Sequence, residues 1–450
     1  MNETTAEGDA RVSGGFVDAP PSSGAGPLVG RRLRPLLVGM GLQNLLLWVP
    51  VEKMFMTEIG INAATIGLLA AVYAGVVPLL EVPFGILADR WSRSGMLILG
   101  TLALAACSLV GGLSTGPLSY AGAAALLGVY FALSSGTADS IVYDTLVEQT
   151  GNSEGYERWI GRLHAVEALA LVVSAVGGGV LAAVTSARFT YFATVPLIGS
   201  AVVAFAFCRE PRLHRAGERV SYREQAVATM RALAGGRRVA EVVLLVALMA
   251  AASQVVFEFG PLWLVALDAP AALYGPYWAL LVGTVGVGAW AASRAQLHRV
   301  GRAVAVGSVL VLAAVVPAVS RSLTLIIVAQ VLVALAAAMI AVRAGFLLHE
   351  AVAATVRAGV SSGASTLSWL VFLPVSLVFG WLARAHGVMT ADWLVGVIAA
   401  AVAVLLIRTA RPDRSSPAAT IPPSELAVAP PAPADFVSAP YGYGGFEPSA

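Results

Sequence analysis

Residues 81–93 read EVPFGILADRWSR, and this stretch decides the fold of the chain. In this stretch a long apolar run leads directly into three charged residues, Asp89, Arg90 and Arg93, with no polar spacer before them. Such charges belong at a water boundary, where they can pair and also bond the free backbone groups at helix ends. Gly85, one turn earlier, is expected to permit the close approach of another helix. The pattern predicts the inner end of a membrane-spanning helix.

The composition of the whole chain agrees with a membrane protein. The 450 residues are 58% hydrophobic and only 12% charged, with a mean hydropathy of +0.80. A soluble domain carries about 25% charged residues, so lipid must cover most of this chain. The net charge of +2 gives no indication of nucleic-acid binding. Cys107 and Cys208 fall in or beside apolar stretches, so we expect neither a disulfide nor a metal site, and no cofactor motif is present.

Twelve apolar stretches approach the ~20 residues that one crossing needs. We therefore predict an all-α integral membrane protein with twelve transmembrane helices in two six-helix bundles. The predicted spans are 36–57, 63–88, 95–114, 117–144, 160–183, 188–208, 241–265, 270–292, 303–320, 322–345, 357–383 and 389–408.

The spans divide the chain into five segments. Residues 36–208 are predicted to form the first bundle and residues 241–408 the second, and residues 209–240 are the loop between them. The segments 1–35 and 409–450 are rich in Gly, Ser, Pro or Ala, and we expect disordered tails there.

Basic residues predict the orientation of the chain. With both termini in the cytoplasm, 24 of the 28 Lys and Arg residues lie on the cytoplasmic side and 4 lie outside. Basic residues flanking spans favour the cytoplasmic side, so this orientation is the one predicted.

The opening stretch resembles the loop signature G-x-L-A-D-R-x-G-R-[RK] of the major facilitator superfamily. Ser92 stands in the place of the usual Gly, and Ser94 replaces a second basic residue. Residues 135–146, SGTADSIVYDTL, resemble the pattern S-G-x-x-[DE]-x-x-x-Y-D-[ST]-L of a bacterial, efflux-like branch of that superfamily, and residues 81–83 fit its E-x-P. The resemblance implies a transporter rather than an enzyme, made of two parallel repeats in a bacterial cytoplasmic membrane.

The resemblance also implies a gate at the cytoplasmic side. Asp89 would meet the inner end of the eleventh span there, and Asp144, at the water boundary, is expected to pair with Arg90 or Arg93. The full set of predicted gate residues is Gly85, Asp89, Arg90, Arg93, Asp144, Arg343 and Arg357.

Three acidic residues fall inside predicted spans. A carboxylate in the apolar layer costs a few kcal/mol, so Glu81, Asp139 and Glu167 are candidates for proton coupling. Glu81 and Asp139 lie at similar depths and can share a site, and His164 is one turn before Glu167 and can pair with it. The alternative is that these acids form structural hydrogen bonds or pair with arginines of the gate.

Polar residues in spans that line the central cavity of superfamily members are candidates for substrate contact. They are Gln43, Asn44, Gln254, Glu258 and Gln330. So few polar groups favour an amphipathic or largely apolar substrate. Glu52 and Lys53, near the outer end of the first span, are expected to be a charge pair at the membrane boundary.

The function predicted from these features is secondary transport of a small organic molecule by alternating access, with proton-coupled export as the leading hypothesis. Residues 174–179, SAVGGG, keep the glycines of the antiporter pattern G-P-x-x-G-G but lack its proline, which weakens the antiporter hypothesis. Uptake or uncoupled facilitation is the alternative, and a membrane-embedded transferase or a non-transporting sensor is a further one. The expected partners are the substrate, protons and lipid, and we expect a monomer.

Overall fold

A computed structural model describes residues 25–151, 155–209, 236–351 and 357–410 of the chain. Most of the predicted loop 209–240 and most of both predicted tails lie outside the described residues. The side chains of Asp89, Arg90 and Arg357 also lie outside the described part, although their helices are included. Among the described residues, eleven helices are long and apolar enough to cross a membrane.

The first half of the described chain contains eight helices. They are α1 (Ala25–Gln43), α2 (Glu52–Glu58), α3 (Ala63–Arg90), α4 (Arg93–Leu113), α5 (Pro117–Ser134), α6 (Thr137–Thr150), α7 (Tyr156–Val184) and α8 (Ala187–Ala206).

The second half contributes eight more. They are α9 (Arg237–Phe259), α10 (Pro261–Ala266), α11 (Tyr274–Ala295), α12 (Val300–Val319), α13 (Leu323–Ala351), α14 (Arg357–His386), α15 (Val388–Ala391) and α16 (Trp393–Ala410). Most of these bounds follow the predicted spans, with the first span as the exception, and the all-α membrane fold is confirmed.

The first predicted span is not one continuous helix. α1 stops at Gln43, and a turn leads to a short 3₁₀ helix, Val49–Val51, before α2 begins. Pro50 lacks the backbone N–H that a continuing helix would use, which favours a break here. The side-chain hydroxyl of Thr194 accepts a hydrogen bond of 3.1 Å from the N–H of Leu47, so part of the exposed backbone is satisfied by α8.

The fourth span is interrupted as well. α5 ends at Ser134 and α6 begins at Thr137, with Gly136 between them in the left-handed region at φ +62°. Glycine adopts this conformation without the steric cost that a Cβ brings. The break places Ser135 and Asp139 on either side of a bend in the middle of the crossing, where they face the space between the halves.

Each half packs mainly within itself, and a few helices join the two halves. α3 packs against α14, α7 against α11, and α2 against α10. At two of these contacts a glycine lets the backbones of the two halves approach closely, and we call these contacts the glycine seams. A Cβ on Gly179 would lie 2.7 Å from the backbone nitrogen of Gly275, and one on Gly380 would lie 2.8 Å from the carbonyl oxygen of Ala63. Of the glycines at residues 177–179, Gly179 permits this close packing with the other half, whereas Gly178 packs against the backbone of Leu47 in the same half.

The two ends of the molecule are named here by the chain termini. The terminal face is the end at which α1 begins and α16 ends, and the far face is the opposite end. Both glycine seams lie toward the far face, because Gly179 is near the end of α7 and Gly380 near the end of α14. The halves are consequently closed together at the far face.

Candidate functional site: an acidic cavity between the halves

A cavity lies between the halves and enters from the terminal face. Its space, including the solvent at its mouth, is ≈ 1270 Å³. Ser135 and Gly136 near the mouth are exposed, whereas Glu258 at the other end is 6% exposed. Residues of the broken first and fourth crossings form much of its wall, together with parts of α3, α7, α9 and α14. The cavity is therefore a pocket closed toward the far face.

The closed end holds a buried cluster of charges. The Lys53 ammonium lies 2.7 Å from Oε2 of Glu52 and also pairs with Oε1 of Glu258. Tyr73 donates a hydrogen bond of 2.8 Å to the second oxygen of Glu258, and Tyr120 donates one of 2.8 Å to Glu52. Each charged group thus has partners, which is the condition under which charges are stable away from water.

The expectation of a boundary pair at Glu52 and Lys53 is wrong. Lys53 is only 2% exposed, and its partner Glu258 belongs to the other half of the protein. The break after Gln43 explains the difference, because it lets α2 direct Lys53 inward against α9 and not toward the membrane boundary. The ion pair joins the two halves at the closed end of the cavity.

The three proton-coupling candidates all line the same cavity. Glu81 accepts hydrogen bonds from Ser135 at 3.5 Å and from Thr366, in the other half, at 3.2 Å. Glu167 is 6% exposed and lies 3.0 Å from Nδ1 of His164, so the predicted pairing of these two residues is confirmed. Asp139 lines the cavity together with Glu167. Their role in proton coupling stays a prediction.

Aromatic rings separate the two acidic ends of the cavity. Phe131 and Trp369 lie 5.9 Å apart between ring centroids, and Tyr130 lies 5.3 Å from Phe131. Trp48 adds a fourth ring near Glu52. Trp369 belongs to α14 and the others to the first half, so both halves contribute to this apolar belt.

Of the five polar residues predicted to contact substrate, Asn44 and Glu258 line the cavity. The amide nitrogen of Gln43 instead donates to Thr101 at 2.9 Å, inside the first half. Gln330 accepts a hydrogen bond from Tyr277 at 2.8 Å and lines a separate small pocket in the second half. Gln254 is buried at 4% exposure and is not among the described residues that line the cavity.

The gate residues that can be described lie near the terminal face. Arg93, at the start of α4, pairs with Asp144 of α6 at 2.6 Å, which confirms the predicted contact. Arg343 lies over the ring of Phe346, 5.3 Å from its centroid. The close approach of another helix that is expected at Gly85 is not seen, because no described atom lies within 4 Å of a Cβ built there. The end of α3 is therefore not closely packed at Gly85 when the terminal face is open.

Sequence reasoning missed the burial of two ionisable residues. Lys53 is the single lysine of the chain and falls inside a predicted span, and this was the signal that could have identified it. Asp392 is 4% exposed, and its Oδ2 has no hydrogen-bond partner among the described residues. It lines the small pocket that also contains Gln330, at the start of the last crossing. It lies inside the predicted span 389–408, and an acidic residue within a span was the signal that could have identified it.

Comparison with known proteins places this architecture among transporters. Residues 36–320 match the family model described as Major Facilitator Superfamily. No curated protein matches the sequence.

Several solved structures share the fold at low sequence identity. The nucleoside transporter NupG is 13% identical with a TM-score of 0.69, over 85% of this chain and 98% of that one. A bacterial homologue of the human lysosomal transporter Spinster, in an inward-facing and unoccupied conformation, is 15% identical with a TM-score of 0.65, over 87% and 98%. A D-xylose–proton symporter is 13% identical with a TM-score of 0.61, over 85% and 96%.

Proposed function

The chain belongs to the major facilitator superfamily, and we propose that it is a secondary active transporter that exports a small amphipathic organic molecule in exchange for protons. Membership of this family and the transporter folds that resemble it make the protein a membrane transporter and not an enzyme. The direction, the coupling and the substrate are the proposed part. We further propose a bacterial cytoplasmic membrane as its location, with both termini in the cytoplasm.

The observation that carries the proposal is a cavity closed at one face and lined by acids from both halves. With the termini in the cytoplasm, its mouth opens inward and can accept a molecule from the cytoplasm or the inner leaflet. Alternating access then requires the far-face contacts to separate and the terminal face to close. Both halves of the chain contribute to the wall of the cavity, and we propose that a single chain carries out transport.

The hydrogen bond between Glu81 and Thr366 supports the proposal of proton coupling. This hydrogen bond of 3.2 Å joins the first half to the second. Addition or removal of a proton at Glu81 changes the strength of a contact that must rearrange when the halves rock. A proton can shift a conformational equilibrium only by binding the two states differently, and a contact between the halves provides that difference. Asp139 and Glu167 lie in the same cavity and can share the proton.

Closure of the terminal face is assigned to the charged residues around the ends of α3, α6, α13 and α14. In the outward-open state, Asp89 is proposed to approach the start of α14 near Arg357, where the helix N-terminus and the guanidinium both attract a carboxylate. The proposed gate consists of Gly85, Asp89, Arg90, Arg93, Asp144, Arg343 and Arg357.

The test is transport into proteoliposomes under an imposed pH gradient. Candidate organic compounds are screened with the wild type, and then Glu81→Gln, Asp139→Asn and Glu167→Gln are compared with it. We expect at least one variant to lose gradient-driven transport while it retains substrate binding. Glu241→Gln is the matched control, because Glu241 pairs with Arg408 away from the cavity. Undiminished coupling in all three variants would remove these acids as proton carriers.

Uptake or uncoupled facilitation is the competing function. The fold permits it, since one structural neighbour is named as a D-xylose–proton symporter. Transport at the same rate with and without the pH gradient would indicate facilitation. Accumulation driven by protons moving in the same direction as the substrate would indicate uptake.

A further inference from the structure

The charge on the cavity wall is strongly one-sided. Five carboxylates line it, and His164 is the one basic residue among the described lining residues. Those carboxylates belong to Glu52, Glu81, Asp139, Glu167 and Glu258. Lys53 lies behind the wall, between Glu52 and Glu258, and leaves that end with one net negative charge when all three groups are ionised.

We propose that the cavity binds an amphipathic organic cation, with its charged group at Glu81 and Glu167 and its apolar body against the aromatic belt. This inference rests on the proposed transport function and adds the charge of the substrate to it. The belt is formed by Trp48, Tyr130, Phe131 and Trp369.

The hydrogen bonds at the mouth end support a cationic ligand. Glu81 accepts from two hydroxyl groups, those of Ser135 and Thr366, and neutral donors of this kind do not cancel its charge. Nδ1 of His164 lies 3.0 Å from a carboxylate oxygen of Glu167, and the imidazole is charged only when it is protonated. A carboxylate in a low-dielectric wall attracts a cation more strongly than it would in water. An ammonium or phosphonium group would therefore be attracted to the site and would offset part of its negative charge.

The aromatic belt is the second feature of the cavity that favours a cationic ligand. The faces of Trp, Tyr and Phe rings carry negative potential, and they attract cations whose hydration shell has been removed. Phe131 and Trp369 come from different halves, so a ligand held between them contacts both sides of the cavity. An anion would be repelled by the carboxylates and by the ring faces.

The Lys53 cluster shows that this protein already stabilises a cation in such surroundings. The Lys53 ammonium has two carboxylates as partners, and tyrosine hydroxyls satisfy the remaining oxygens of those carboxylates. The mouth-end acids repeat the acidic part of this arrangement without a lysine among the described lining residues. At the mouth end, a substrate cation would be the partner of the carboxylates, as Lys53 is at the closed end.

The experiment compares two ions of nearly equal size and shape but opposite charge, tetraphenylphosphonium and tetraphenylborate. Binding is measured by equilibrium dialysis against the full-length protein in lipid nanodiscs, with binding to empty nanodiscs subtracted. The wild type is expected to bind the phosphonium and to show no specific binding of the borate. Equal binding of both ions, or preference for the borate, would overturn the proposal without the use of any variant.

Variants locate the charged group within the cavity. Glu81→Gln and Glu167→Gln are each expected to weaken phosphonium binding by about tenfold or more, because a buried cation loses its carboxylate partner. Glu241→Gln, outside the cavity, should bind as the wild type does. Melting curves confirm that each variant is folded. Unchanged affinity in both folded cavity variants would contradict the assignment.

Failure of this inference is distinguishable from failure of the proposed function. Gradient-driven transport of a neutral or anionic compound, without phosphonium binding, would support the proposed transport function and contradict the proposed cationic substrate. Specific phosphonium binding without gradient-driven movement of any cation would keep the binding site and contradict the proposed transport.

Discussion

Lys53 and Glu258 form an ion pair that joins the two halves of the protein, although they are 205 positions apart in the chain. Both side chains are almost inaccessible, at 2% and 6% exposure. The pair lies at the end of the cavity that is closed toward the far face, on the same side as the two glycine seams. It is therefore a contact that must break if the far face opens.

Replacement of Lys53 by Met is expected to be strongly destabilising. Removal of one partner leaves Glu52 and Glu258 buried without their cation, a change that costs about 3–5 kcal/mol in other buried pairs. The free energy of unfolding in detergent, from denaturant titration of tryptophan fluorescence, measures the cost.

Arg408→Met is the matched control for that variant. It breaks the pair with Glu241 at 2.5 Å, in which Arg408 is 42% exposed. Exposed pairs contribute about 0–1 kcal/mol. If Lys53→Met cost no more than Arg408→Met, the cluster at the closed end would not hold the halves together.

Gly179→Val is expected to prevent tight closure of the far face. The new Cβ would lie 2.7 Å from the backbone of Gly275, and backbone on two packed helices cannot move away cheaply. We expect an outward-open bias and faster labelling of a far-face cysteine placed at Tyr274, which is 2% exposed at the start of α11.

Gly199→Val provides the comparison for this substitution. Gly199 also lies in a helix, and no described atom is within 4 Å of a Cβ built there. Equal labelling rates in the two variants would show that the seam does not limit opening.

Exchange of Arg93 and Asp144 tests the contact at the terminal face. These side chains are 19% and 15% exposed and lie 2.6 Å apart, so Asp144→Arg alone should place two like charges together and lower the melting temperature. The double variant Arg93→Asp, Asp144→Arg should recover a large part of the loss. A double variant no more stable than the single one would show that another partner of Asp144 matters more.

Asp89→Asn is expected to favour the conformation that is open at the terminal face. The proposed approach of Asp89 to the start of α14 depends on its negative charge, which Asn lacks. A cysteine in place of Ser135, which is exposed at the cavity mouth, reports the change through its rate of maleimide labelling. A labelling rate equal to that of the wild-type background would remove Asp89 from the gate.

The sequence predicts the crossings well because their signal is local. A run of apolar residues is required wherever a helix crosses lipid, and the bounds of α4, α7, α12 and α16 lie within a few residues of the predicted spans. The pairing of Arg93 with Asp144 and of His164 with Glu167 could also be predicted. The second of these pairs follows from helical spacing alone.

Contacts between the halves are less visible in the sequence. Lys53 was assigned to the boundary because nothing nearby in the chain indicates Glu258, and the break after Gln43 changes the direction in which α2 projects it. Gln43, Gln254 and Gln330 share the polarity of Asn44, but their rotation about each helix axis turns them elsewhere. The apolar runs of the sequence indicate how deep a residue lies in the membrane, whereas the packing of the helices decides in which direction its side chain points.

The central claim is that one cavity is exposed alternately at the two faces, and paired distances test it most directly. Two doubly labelled proteins are needed, with labels at the exposed positions Ser186 and Ser322 on the far face and Glu157 and His298 on the terminal face, and with Cys208→Ser in both. The wild type is compared with Lys53→Met by pulsed electron paramagnetic resonance in nanodiscs. We predict that Lys53→Met lengthens the Ser186–Ser322 distance and shortens the Glu157–His298 distance. Distances that change in the same direction, or that do not change at all, would contradict alternating access around this cavity.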